Sequence, residues 1–323
     1  MQVRHTIRAM MFGLLSVLWM TSDLSLANEA PSAKPEPVQS PVPPPVPAPP
    51  SPKPHTAESE SKPTGKVHPP SNAGAVLKPV GAPQPLPEIV GKDGAPMVLV
   101  PAGEFTMGSD KGDDDEQPIH RVFLDSFYMD KFEVTNGRFA KFVEAIQSEP
   151  PWGFADKETP VVHSDRPVQW VNWMESMGYC LWAGKRLPTE AEWEKAARGA
   201  DGRVYPWGND LPTAAHAVFG LKEGADMVSP IGNRDKGKSF YGVHDLAGNL
   251  YEWVTDWYDE QFYTKNPAIN PRGPVEGTAK VQRGGSYINN PYRLRSSFRT
   301  KGDPTEHDPN VGFRCAQDAP KLP

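Results

Sequence analysis

The chain has 323 residues, a net charge of -6 and a hydrophobic fraction of 37%, with 38 prolines and two cysteines. That charge argues against a nucleic-acid partner, because phosphate binding calls for a concentrated basic face and no stretch supplies one. Cys180 and Cys315 lie far apart and match neither a CxxC redox pair nor a zinc cluster.

At the start, Arg4, His5 and Arg8 precede the mostly apolar run Ala9 to Met20, and Ser25-Leu26-Ala27 offers a small-residue cleavage site before Asn28. Residues 1–27 are expected to be a cleavable secretory signal. The apolar run falls short of the ~20 residues that span a bilayer, so no integral membrane segment is expected after cleavage. Residues 28–91 hold half of the prolines and no aromatic residue. Such a segment cannot bury enough apolar surface to offset its ordering cost, and it favours extended polyproline II geometry. It is expected to be a disordered spacer, the alternative being a proline-rich ligand for a partner module. The folded domain is placed at residues 92–318, with a short tail at 319–323; ~230 residues suffice for one substantial core.

Met97 to Val100 predicts a short apolar strand, Pro101-Ala102-Gly103 a turn, and Glu104 to Met107 an alternating strand. The acidic stretch Asp110 to His120 lacks the alternate-position ligands of an EF-hand and is expected to be a solvated loop. Val122 to Met129 predicts one further strand. Thr135 is placed as a helix N-cap, with Phe139, Phe142, Val143 and Ile146 on one core-facing side. After a proline-punctuated loop from Pro150 to Pro167, Trp173, Met177, Cys180 and Leu181 predict a second helix that stops near Gly184. Thr189 with Glu192 forms a capping box for a third helix, whose Trp193, Ala196 and Ala197 face inward before Gly199. Helices beside many short strands predict an α+β domain rather than βαβ units.

The stretch Gly284 to Cys315 carries most of the functional signal. A glycine pair presents Ser286 and Tyr287, and Arg283, Arg293, Arg295 and Arg299 supply planar forks suited to carboxylates. Two readings stand: a bend plus two strands whose arginines tie down surface carboxylates, or the floor of a cleft.

Six motifs occur in order: VPAGEFTMGS (Val100 to Ser109), VTNGRF (Val134 to Phe139), WAGKRLPTEAEWEKAARG (Trp182 to Gly199), DLAGNLYEWV (Asp245 to Val254), RGGSY (Arg283 to Tyr287) and NVGFRC (Asn310 to Cys315). Together they resemble the formylglycine-generating enzyme, or sulfatase-modifying factor, family over roughly Asp93 to Gln317. The resemblance implies a modified C-type-lectin-like α+β fold with little regular structure. Family oxidases bind copper(I) through a thiolate pair just after GGSY and convert a sulfatase cysteine to formylglycine. Here Asn289 stands at the first thiolate position and no cysteine lies between it and Arg299. Soft thiolates are what copper(I) wants, so copper is not expected. The resemblance further implies a disulfide between Cys180 and Cys315, reasonable for an exported chain. It also implies one structural calcium site, from the side chains of Asp245 and Glu252 and the carbonyls of Gly248 and Leu250. A second family calcium site is not carried over, because His216 occupies its asparagine position and the following loop is shortened.

Three functions compete at this point. The first is a non-catalytic, exported module, suited to a bacterial periplasm, that binds a peptide or saccharide in a cleft of Tyr251, Ser286, Asn289 and Arg299. The second is a non-copper enzyme that tailors a peptide or siderophore, with Glu116, His120 and Glu252 as candidate acid and base groups. The third is a formylglycine-generating oxidase of sulfatases with an unrecognised metal site drawn from His120, His163, His244 and His307.

Overall fold

The computed structural model describes residues 86–150, 163–222, 228–265 and 267–320. The expected signal sequence, the proline-rich segment up to residue 85, most of the loop before Pro167 and the last three tail residues lie outside them. Among the described residues, regular structure begins at β1 (Glu88–Val90), ahead of the expected domain start at Lys92. β1 pairs antiparallel with β2 (Pro96–Val100), whose Met97, Val98 and Val100 point into the core. β2 pairs with β5 (Phe127–Asp130), and β5 with β10 (Ala316–Asp318), so one four-stranded antiparallel sheet has the order β1-β2-β5-β10.

The single strand expected from Val122 to Met129 is two strands. β3 (Gly103–Met107) pairs with β4 (His120–Leu124) in a separate two-stranded sheet. The break falls at Asp125, whose N–H donates to the Asn270 side chain at 2.8 Å instead of to a strand neighbour. The chain thereby changes sheet between Leu124 and Phe127. A third sheet has the order β8-β7-β6-β9, from β6 (Tyr251–Trp257), β7 (Lys280–Arg283), β8 (Arg299–Gly302) and β9 (Val311–Phe313). Its β6–β9 pair is parallel and the other pairs are antiparallel.

Among the described residues, three α-helices lie among the sheets. α1 (Asn136–Ile146) starts where Thr135 accepts a hydrogen bond from the Arg138 N–H, and it buries Phe139 and Phe142. Ile146, expected in the core, is 45% exposed, because the last turn runs past the surface its face packs on. α2 (Trp173–Trp182) is capped by Asn172 and buries Cys180, whereas Leu181 is 61% exposed. α3 (Glu190–Arg198) has the expected Thr189–Glu192 capping box, and every one of its residues is buried, charged ones included. α3 is therefore an interior helix, and its glutamates need partners.

The core has two main halves. One packs Phe105, Phe127 and Val281 around Trp193 of α3. The other packs α1 and α2 on β6 and β9 through Phe139, Tyr179 and Phe313. The Cys180–Cys315 disulfide is present, with a Cα–Cα distance of 5.7 Å and both cysteines fully buried in the second half. The fold is α+β with short elements, as the motifs imply.

Candidate functional site

Arg283, Arg295, Arg299 and Arg314, which flank or follow the glycine pair, do not reach surface carboxylates. Arg299 donates through Nε and Nη2 to both oxygens of Glu190 at 2.7 and 3.0 Å, and through Nη1 to the Asp115 carbonyl. Arg283 donates to Glu194 at 2.6 Å and to the carbonyls of Ser296 and Ser297. Arg295 holds Glu116 bidentately at 2.6 and 2.8 Å, and Arg314 holds Glu252 at 2.6 and 2.7 Å. All of these side chains are buried, with charge-assisted, fork-on-carboxylate geometry. The expectation of a solvated acidic loop therefore fails at Glu116, which is fully buried under Arg295. Arg299, expected in the cleft, is 3% exposed and occupied by Glu190, so it cannot serve a ligand.

The other three cleft residues surround the glycine turn. Gly284 and Gly285 hold φ of +94° and +73°, and a Cβ on Gly285 would lie 2.8 Å from the Arg293 carbonyl oxygen. Only glycine allows that approach. Beyond the turn, the Ser286 N–H and hydroxyl both donate to Asn289 Oδ1, at 2.8 and 3.1 Å. Tyr251 enters at the start of β6, and its hydroxyl accepts a 3.4 Å hydrogen bond from Arg293. Burial raises the Tyr251 phenol above its ordinary range, and the Arg293 charge opposes that shift. Arg293 is exposed; the sequence grouped it with the arginines of a possible cleft floor but not with the four named cleft residues.

The calcium expectation meets a mixed donor set. Asp245, Gly248 and Asn249 all take left-handed φ, of 59°, 77° and 61°, which coils the DLAGNLYEW stretch tightly. Asp245 Oδ2 accepts the Gly232 N–H at 2.7 Å. Glu252 engages Arg314 with both oxygens and the Trp193 indole N–H with Oε2, so it is not a free ligand. Near Asp245, a carboxylate oxygen without a partner belongs to Glu133, which sequence reasoning missed. Its Oε2 accepts from Asn249 at 2.7 Å, while its fully buried Oε1 has no hydrogen bond. Burial, then the charges of Asp245 and Glu252, push the Glu133 carboxyl well above the carboxylate range. An orphaned oxygen among like charges, with Asp245 nearby, is a donor that a divalent cation would satisfy. Among the described residues no three His, Cys, Asp or Glu side chains form a group that could hold a metal, so a cation at Glu133 would need further oxygen donors. The signal for Glu133 was a lone acid between Phe132 and Val134 in an otherwise core-facing run.

Among the described residues, His120, His163, His244 and His307 form no group that could hold a metal. His120 lies edge-on to Tyr263, His244 packs on Phe132, and His307 contacts Glu175. Burial lowers His244 to about 4, so it is neutral at pH 7. The candidate acids Glu116 and Glu252 are each locked to an arginine.

Residues 84–319 match the family described as sulfatase-modifying factor enzyme 1-like domain. The formylglycine-generating enzyme of Bos taurus is 35% identical over 279 residues, covering 69% of this chain and 74% of that protein. The formylglycine-generating enzyme of Streptomyces coelicolor is 34% identical over 305 residues, covering 76% and 96%. Among solved structures, PvdO from Pseudomonas aeruginosa matches with a TM-score of 0.62 at 26% identity, over 74% of this chain and 100% of that one. With the motifs, the interior α3 helix and these similarities in agreement, the chain belongs to the sulfatase-modifying factor enzyme 1-like family.

Proposed function

We propose that the domain is an exported binding module of this family, which takes a peptide or saccharide ligand at the surface of Arg293 and Asn289, over the buried Tyr251 and Ser286, and does not oxidise thiols through copper. The observation that carries the proposal is the state of the sulfur and of Asn289. The chain has two cysteines, both in one buried disulfide, so no thiol remains to bind copper(I). Asn289, meanwhile, is a turn lock whose Oδ1 is already held by Ser286. Arg293 and the Tyr251 hydroxyl offer hydrogen-bonding groups beside that turn.

The same proposal includes a structural calcium ion at Glu133, Asp245, Gly248 and Leu250. It would neutralise the crowded carboxylates and pin the coiled loop that leads into β6.

One purified sample tests both parts. Elemental analysis is expected to give about one calcium per chain, copper well below stoichiometric, and reduced calcium in a Glu133→Gln variant. Incubation with a Cys-x-Pro-x-Arg sulfatase peptide should leave its mass unchanged. Conversion of that cysteine to an aldehyde, or tight stoichiometric copper, refutes the binding-module reading.

A further inference from the structure

A second cavity lies toward the other end of β6. Tyr251 opens the strand, whereas Thr255 lies four residues on, about 13 Å away at ~3.3 Å per residue. There a cavity of about 510 Å³ opens between β4, the start of α3 and the segment around Asn270. A smaller compartment of about 150 Å³, with Thr255 in its wall, adjoins it and shares Arg186, Thr189 and Arg272. The larger volume falls within the range of small-molecule sites.

The two compartments differ in chemistry. In the larger, Asn270 is held at φ 44° and grips Asp125 twice, accepting from its N–H at 2.8 Å and donating to Oδ2 at 3.2 Å. That clasp fixes the base of the segment carrying Arg272, which is exposed and has no carboxylate partner among the described residues. Opposite it, Arg186 is held by Glu192 and Asp318. Two guanidiniums against Asp125, Glu192 and Asp318 leave the lining with one excess negative charge. The lining thus offers no excess positive charge to an anionic ligand, while donors and acceptors are abundant. The smaller compartment is apolar, with Trp173, Met177, Leu181 and Leu187 in its walls. Its indole wall is preset: Trp173 Nε1 donates to the Val254 carbonyl at 2.8 Å, and the Lys280 ammonium sits 3.9 Å over its ring. Leu181 is 61% exposed at the mouth, a large apolar side chain with no cover among the described residues.

We propose that this groove binds a neutral glycoside. The sugar occupies the larger compartment, its vicinal hydroxyls facing planar carboxylate, amide and guanidinium groups, and an apolar aglycone or acyl group fills the smaller one. The proposal concerns a different face from the Tyr251 surface and stands or falls separately from it.

The test uses octyl β-D-glucoside below its micelle-forming concentration, titrated into the full chain and followed by ligand-observed saturation-transfer NMR. Binding is expected, with weaker binding of free glucose and of octyl sulfate, which has the same tail and an anionic head. Arg272→Ala should weaken octyl glucoside binding about tenfold, the loss of one charged hydrogen-bonding partner. Leu181→Asp should weaken it comparably by placing a charge at the apolar mouth. Both side chains are exposed, so unchanged melting curves are expected to accompany the loss. No saturation transfer from octyl glucoside, octyl sulfate binding as tight or tighter, or parental affinity in both variants overturns the proposal.

Discussion

Asp256 sits on β6 facing the first turn of α3, 3% exposed, its Oδ2 accepting the Glu190 N–H at 2.9 Å. Burial first, and then the Glu190 charge, push its carboxyl from 3.8 to about 8. The folded state thus keeps a proton that the unfolded chain releases near 3.8, so this group's contribution to stability is fully present below that pH. It is lost as pH rises through about 8. Asp256→Asn keeps the acceptor and removes the titration. Melting curves from pH 5 to pH 9 should therefore fall more steeply for the parent than for the variant, and parallel curves would refute the assignment. Single residues were the least legible part of the sequence. Glu116 looked solvated because it ends a run of acids, and its partner Arg295 is 179 positions away. Arg299 looked available for the same reason, since Glu190 lies 109 positions away.

The ends of α3 could be read directly, because a capping box relates residues three apart. Its full burial could not, since Glu190 and Glu194 in a nine-residue segment ordinarily mark a solvent face. What reverses that rule is the arrival of β7 and β8, which place Arg283 and Arg299 over the helix. Removing one partner of such a buried set leaves a charge uncompensated, at a cost of about 3–5 kcal/mol. Arg283→Ala should lose that much in urea unfolding, and a loss below about 1 kcal/mol would show that the pairing contributes as little as a surface bridge. The β4–β5 break was missed for a related reason. Leu124 and Phe127 continue an apolar pattern, while the side chain that interrupts the ladder, Asn270, comes from far along the chain.

For the whole molecule, the motifs carried the fold and the cysteine pairing, because both belong to a shared scaffold rather than to any local pattern. The cavity beside Arg272 was invisible to that logic, as it is assembled from segments that no motif joins. The disulfide closes a loop with a sequence separation of 135, for which chain entropy gives a nominal stabilisation of about 2–5 kcal/mol. Reduction, or a Cys180→Ala/Cys315→Ala double variant, should lower the melting temperature by several degrees, and an unchanged melt would discount the cross-link.

That cross-link joins α2 to the short run between β9 and β10, and α3 and the third sheet lie in the stretch it brackets. A protease that clips the backbone once inside the bracket produces two fragments still bolted together. Such a nicked molecule would migrate as one species until a reductant separates it, and a single cut in an exposed loop would not by itself shed half of the domain.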